Sequence, residues 1–579
     1  MNEKLKLFLD SHLKTDTNTV SVFPLACGVG KTEYIRYLIA DALNNNYGLI
    51  IVTDEVERLN NYTNSSDEQL SDYINRNINR VSILTSDSIA SEAQTMHKKP
   101  IILMCTQRYF DLSIDEIRHL TTTRKKVIFD EKPYIFVTSK ITIETLNDID
   151  TALNEGLDDT VNQNDKAMLI VNWKDISSGL QKALKDNEDH NLDYKKEDYF
   201  TYSDYVKEHT SESFFECIKK YRSQLKKYKS DVLKTIDAVK QLTTEGIITS
   251  QKTKFVGSGN AYNNYFTVLI TNVHKLTDIG ASVFILDGTS DISPDYDLNC
   301  FKLIDCNEFK PDLHRLTINV VNLNTSKDKL TQSKEKADPL IKTIIEYIKS
   351  QPEHIDTVFT YKNISDKFMK DFKYVNWFGN IKGSNQYREE TNICQVGLNR
   401  YPDLVYMLYV NSIGQINDEE LCLINRIYGK ETIDSIRCRM ILADIEQNLY
   451  RCKIRNRDNS KKCTYTLICN VEEHNKLFDL YSPLLQMIKT RYEPLGATIN
   501  YIETPVQFIR LKSNERKTKN KTTVQKFEEW YGRQPKDRTF KRADLISECN
   551  LTASQFKDLK RTNILNNLST DKQGLYIVK

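Results

Sequence analysis

The chain has 579 residues, 28% of them charged and 39% hydrophobic, with a net charge of only +2. That length exceeds one ordinary core and predicts several domains. No run approaches the ~18 apolar residues of a membrane span, and the opening "MNEKLKLFLDSHLK" mixes acids and bases where an export signal would be apolar, so a cytoplasmic protein without a membrane partner is expected. Twelve cysteines without a C-x-x-C pair, and nine histidines without H-x3-H or H-E-x-x-H spacing, argue against zinc ribbons, disulfide frameworks and metal cages. The small net charge hides an asymmetry. Residues 510–579 hold 17 Lys and Arg against 8 Asp and Glu, leaving 1–509 at about −7.

In chain order, the first third alternates Val- and Ile-rich runs with helical stretches. The runs are 19–26, 48–54, 81–85, 100–106 and 125–131, and the pattern predicts a parallel sheet with helices on both faces. Ligands of such sheets bind beyond the strands' carboxyl ends, so functional residues are expected just after each run.

After the first run comes "PLACGVGKTEYI", residues 24–35. Its Gly28, Val29, Gly30, Lys31 and Thr32 form G-x-G-K-T between a strand and a helix. There, backbone N–H groups and the helix N-terminus can approach a phosphate, Lys31 can reach the β- and γ-phosphates, and the Thr32 hydroxyl can ligate Mg²⁺. A chance strand-to-helix turn is the bland alternative. After the fifth run comes "VIFDEKP", in which Asp130 can hold the magnesium through water while Glu131 polarises an attacking water. ATP and Mg²⁺ are the expected cofactors.

From about 143 to 260 the sequence turns into long charged segments with 3.6-residue periodicity, read as a helical insertion. A buried strand returns at 281–291, "ASVFILDGTSD". A second alternating series follows, with strands expected at 316–324, 356–362, 374–379, 391–397 and 463–469 and a long helical zone from about Asp418 to Arg457. Within that zone Gln447, Arg451 and Arg455 recur every four residues, which predicts all three on one helix face. From Pro505 a Lys-rich linker leads to two short helices, the second capped by Thr552, and a closing hairpin, an order that suggests a winged helix.

Taken together these stretches resemble superfamily 2 (DEAD/DEAH-like) helicases and translocases, over roughly residues 15–475. Their phosphate loop commonly reads G-x-G-K-T without the earlier glycine, which accounts for Leu25, and their magnesium motif begins Asp-Glu. Their third motif, usually Ser-Ala-Thr, is matched here by Asp287-Gly288-Thr289, giving Asp287 and Thr289 the coupling role. Gly383, Ser384 and Asn385 stand where such enzymes contact nucleic acid. Gln447 and two arginines, Arg451 and Arg455, stand where the family stabilises γ-phosphate charge, although Ile454 occupies the usual place of the second arginine.

The resemblance implies an α/β fold of two tandem RecA-like P-loop lobes with a helical insertion in the first and a small C-terminal winged-helix-like domain. The boundaries expected are 1–142 and 256–310 for lobe 1, 143–255 for the insertion, 311–505 for lobe 2 and 506–579 for the basic domain. The activity implied is ATP hydrolysis in the inter-lobe cleft, with Lys31, Glu131, Gln447, Arg451 and Arg455 catalytic, driving movement along or unwinding of nucleic acid, DNA more than RNA. Lys557, Lys560 and Arg561 would lie on a recognition helix. The alternative is an ATP-switched nucleic-acid-binding replication or defence accessory that separates no strands. A small-molecule P-loop kinase explains neither the second lobe nor the basic end. Lys-, Asn- and Ile-rich usage suggests an A+T-rich genome, bacterial or of a mobile element, with replication or defence proteins as partners.

Overall fold

The computed structural model describes residues 3–508 except for short stretches, the longest being 86–95, 201–211 and 414–422, and beyond them chiefly 527–551, 568–570 and 576–578. The chain divides into two compact units, one of residues 1–333 and 345–503, the other of 334–344 and 504–579.

The first unit holds two parallel sheets, as expected of tandem RecA-like lobes. In lobe 1 the strands are β1 (Val20–Phe23), β2 (Leu49–Thr53), β3 (Val81–Leu84), β4 (Ile101–Cys105), β5 (Lys126–Asp130), β6 (Ser282–Leu286) and β7 (Phe301–Leu303). They form one seven-stranded sheet in the order β7-β1-β6-β5-β2-β4-β3, parallel throughout. Alternate residues of a strand serve opposite faces. Leu49 and Ile51 join one apolar core with the helices Glu3–Leu13 and Lys31–Asn45, while Ile50 and Val52 join the other with Tyr109, Phe110 and Ile117. The fully buried apolar runs are therefore strands covered on both sides. The β7 strand carries no comparable run and escaped the sequence reading.

In lobe 2 the strands β8 (Leu316–Asn322), β9 (Thr357–Thr360), β10 (Tyr374–Trp377), β11 (Asn392–Val396), β12 (Cys463–Cys469) and β13 (Thr498–Ile502) form a parallel sheet in the order β10-β9-β11-β12-β8-β13. The long helical zone is shorter than expected. Its helix spans Glu431–Leu449, and two short strands, Leu423–Ile424 and Ile427–Tyr428, precede it.

Between β5 and β6 lies the inserted unit. Helices Ile143–Glu155, Gln163–Asp189, Glu212–Tyr228 and Ser230–Thr244 supply most of it. An antiparallel sheet adds strand on both sides of the 143–255 segment, pairing Phe136–Ile141 with Phe266–Thr271 and extending to Thr249–Gln251 and Tyr199–Phe200. Its core, around Trp173, Phe214 and Leu242, also takes in Val405, Tyr406 and Tyr409 from the lobe 2 helix Asp403–Ser412, together with Ile433 and Ile436. The lobe 2 strand Leu423–Ile424 likewise pairs with Lys196–Glu197 of the insertion.

The second unit has its own small core of Phe527, Trp530, Phe540, Leu545 and Phe556. Strands Thr539–Phe540, Tyr576–Val578 and Leu568–Thr570 pair antiparallel in that order beside the helix Arg542–Glu548. Of the expected second helix only Phe556 is described; Thr552, Lys557, Lys560 and Arg561 lie outside the described residues.

Among the described residues no helix is long and apolar enough to cross a membrane. The described cysteines are free thiols, most of them buried.

Candidate nucleotide site

Sheet register brings four carboxyl ends side by side in lobe 1. Phe23 of β1 pairs with Leu286 of β6, Ile285 with Phe129 of β5, and Asp130 with Thr53 of β2. The loops that follow these strands, beginning at Pro24, Asp287, Glu131 and Asp54, therefore share one crevice.

The loop after β1 is built on two glycines with left-handed backbone, Gly28 at φ +80° and Gly30, the N-cap of the following helix, at φ +106°. Only glycine adopts such angles without strain, and two bare residues leave the backbone N–H groups accessible. Val29 and Leu25 anchor the loop in the lobe core, and Thr32 is half-buried at the second position of the helix. Lys31 is 6% exposed; its Nζ donates to the Leu25 carbonyl at 3.1 Å and stands 4.0 Å from Glu131 Oε1. Burial alone would depress the Lys31 pKa, but Glu131, with Cys27 and Asp130, raises it.

Asp130 is buried and accepts the Tyr62 hydroxyl at 2.6 Å. Glu131 follows with φ +105°, a left-handed backbone in a residue other than glycine. Strain of this kind persists only where the surroundings enforce it. Burial would push the Glu131 carboxyl up, but Lys31, Arg58 and Arg451 outweigh it and hold the pKa down to about 2. Arg58 lies among three carboxylates, 3.3 Å from Glu131, 3.4 Å from Asp54 and 3.9 Å from Asp130. Asp287, fully buried, accepts the Thr289 amide and hydroxyl at 3.0 and 2.9 Å and the Tyr296 hydroxyl at 2.9 Å, and Gly288 packs against the backbone of Leu25 and Ala26.

Lobe 2 closes the crevice. A Cβ added to Gly28 would lie 2.0 Å from the Arg455 carbonyl oxygen, and Cys27 packs on the lobe 2 core. Arg451 acts on both Cys27 and Glu131, and its Nε is buried without a hydrogen-bond partner among the described residues. The expected single helix face for Gln447, Arg451 and Arg455 is corrected. Gln447 belongs to the helix Glu431–Leu449, but Arg451 lies in the turn beyond it and Arg455 closes a 3-10 turn, Lys453–Arg455. The helix cannot continue, because Cys452 is extended and the Lys453 amide bonds the Glu390 carbonyl of another segment at 2.8 Å. Ser384 and Asn385 lie outside the described residues.

No family model matches the chain, and no curated protein matches it in sequence. Among solved structures it is similar to Mss116p, with its NTE and C-tail deleted, bound to single-stranded RNA and AMP-PNP. That likeness has 12% identity over 96% of this chain and 83% of that one, at a TM-score of 0.33. The DUF1998 helicase MrfA, bound to DNA and AMPPNP, is similar at 9% identity over 100% of this chain and 59% of that one, at a TM-score of 0.30. A hypothetical ATP-dependent RNA helicase from Sulfolobus tokodaii follows at 10% identity, 89% and 99% coverage and a TM-score of 0.21. At such scores the likeness is distant, and the reading of the site rests on its own geometry.

Two residues of the crevice, Arg58 and Tyr62, were not singled out from the sequence. The available signal was position alone, since both follow β2 at the same edge of the sheet as the two motifs. A further feature lies in lobe 2, where a cavity of about 350 Å³ opens beyond the ends of β8, β9, β11 and β12, lined by Lys327, Lys362 and Arg400 with Asp328, asparagines, hydroxyls and the apolar Phe378 and Leu398.

Proposed function

We propose that the chain is an ATP-dependent nucleic-acid helicase or translocase that hydrolyses ATP between its two lobes. The observation that carries this reading is the meeting of Lys31 and Glu131 of lobe 1 with Arg451 of lobe 2 in one buried crevice, where Arg455 packs its backbone on Gly28 and its charge acts on Cys27. Positive charge converges there from both lobes on a backbone kept bare by two glycines, which is what a nucleotide's terminal phosphates require.

Glu131 would accept a proton from the attacking water, a role suited to a carboxylate held ionised. Asp130 and the Thr32 hydroxyl offer hard oxygen donors suited to Mg²⁺. That ion would neutralise charge on the phosphates. The basic, polar cavity of lobe 2 and the basic C-terminal unit are the surfaces we assign to nucleic acid.

The test is ATP turnover of the full chain with single- and double-stranded DNA and RNA, followed by strand displacement. Lys31→Ala should abolish turnover and leave nucleic-acid binding largely intact. A wild-type chain that binds ATP but shows neither polymer-stimulated turnover nor displacement would defeat the motor reading.

A further inference from the structure

Immediately after Glu131, Lys132 enters a buried polar cluster. Its Nζ donates to the Ser293 hydroxyl at 3.0 Å and pairs with the Asp295 carboxylate. Asp295, 1% exposed, also accepts the Ser293 hydroxyl at 2.7 Å and the Tyr409 hydroxyl at 3.3 Å. The three donors come from three places. Lys132 belongs to the Asp-Glu turn, Ser293 follows the Thr289 turn of lobe 1, and Tyr409 lies on the lobe 2 helix Asp403–Ser412. The Tyr409 ring is fixed by Phe136 of the inserted unit, with centroids 4.9 Å apart.

A buried carboxylate depends on all of its donors, because each one lost leaves charge uncompensated in a poorly screened interior. If the lobe 2 helix shifts on the inserted unit, Asp295 loses Tyr409 and must be satisfied by Lys132 and Ser293 alone. Lys132 is joined by one peptide to Glu131, whose strained backbone exists only while its neighbours enforce it.

We propose that Lys132, Asp295 and Tyr409 are positioning residues that tie the set of the Glu131 carboxylate to the seating of the lobe 2 helix on the inserted unit. The inserted unit is then a mechanical link: its core is shared with lobe 2, and its first strand leaves lobe 1 only a few residues beyond Glu131. A polymer that moves lobe 2 is thereby read at the hydrolytic carboxylate. This inference rests on the reading of Glu131 as the group that activates water.

The test is steady-state ATP hydrolysis by the full chain, with and without a single-stranded oligonucleotide, for wild type, Tyr409→Phe, Asp295→Asn, Lys132→Ala and Lys132→Arg. Tyr409→Phe removes one hydroxyl and no packing volume. It should leave KM for ATP nearly unchanged and lower the melting temperature only slightly while lowering polymer-stimulated kcat about five- to tenfold, the scale of one ordinary hydrogen bond, as befits a contact of 3.3 Å. Asp295→Asn should lower it further, and Lys132→Arg should retain more activity than Lys132→Ala. A merely structural role would lower kcat equally with and without polymer and track melting temperature. Wild-type kinetics in Tyr409→Phe would overturn the relay while leaving the nucleotide site standing. A wild-type chain without any ATP turnover would overturn both.

Discussion

Gly28 lies where two demands meet, since its backbone is at φ +80° and the Arg455 carbonyl occupies the space a side chain would need. Gly28→Ala should therefore cost about 1–3 kcal/mol of stability, read as a lowered denaturation midpoint, and should weaken nucleotide binding. Glu131 carries a pH signature. Its carboxyl is held at about 2 against an ordinary 4.5, so the folded chain resists protonation there more than the unfolded chain does. The stabilisation is complete above about pH 4.5 and is lost as pH falls towards 2. The stability difference between wild type and Glu131→Gln should accordingly shrink between pH 5 and pH 3 in urea titrations. Lys31, Asp130 and Glu131 were legible because each sits in a short motif at the end of an apolar run. Arg58 was not. A lone arginine four residues beyond Asp54 acquires Asp130 and Glu131 as further neighbours only when β2 and β5 pair.

Secondary structure is governed by the neighbours of each element as much as by its own pattern. The helix Glu431–Leu449 lies within the expected helical zone, but its end is decided by the hydrogen bond between Lys453 and Glu390, two segments distant in sequence. The same helix carries the ties between lobes. Arg439 grips Asp297 with two hydrogen bonds at 2.6 and 2.7 Å, and Glu446, 2% exposed, accepts two from Arg491, which also reaches Asp291 of lobe 1. Arg491→Ala would strand a buried carboxylate with, among the described residues, only the Tyr492 hydroxyl as its side-chain donor. A loss of about 3–5 kcal/mol is expected by chemical denaturation, most of it recovered when Glu446→Leu is added. Recovery in the double variant is the decisive outcome, because a simple packing defect would instead deepen.

At the scale of the whole molecule the tandem lobes were legible because buried parallel strands are near-continuous apolar runs that alternate with helices. The insertion was legible as helices, but not its antiparallel sheet or its partnership with lobe 2, since pairings between residues 136–271 and 403–436 leave no periodic trace in either segment. The basic C-terminal unit leads to a prediction that separates its work from the cleft's. A chain ending at residue 503 should keep basal ATP turnover but bind nucleic acid more weakly, with a shallower dependence of log K on log salt in proportion to the phosphate contacts removed.

The shared core also sets an order of events in the cell. The inserted unit leaves the ribosome well before the lobe 2 segment that completes it; at ~5–20 residues per second, the roughly 165 residues between 271 and 436 take on the order of 8–30 seconds. For that interval the faces that will receive Tyr406, Tyr409 and Ile433 are open to water and to other chains. Nascent chains stalled with residue 271 just clear of the ribosome should therefore recruit holdase chaperones and resist proteases poorly, whereas chains extending past residue 503, which hold every strand of the lobe 2 sheet, should do neither.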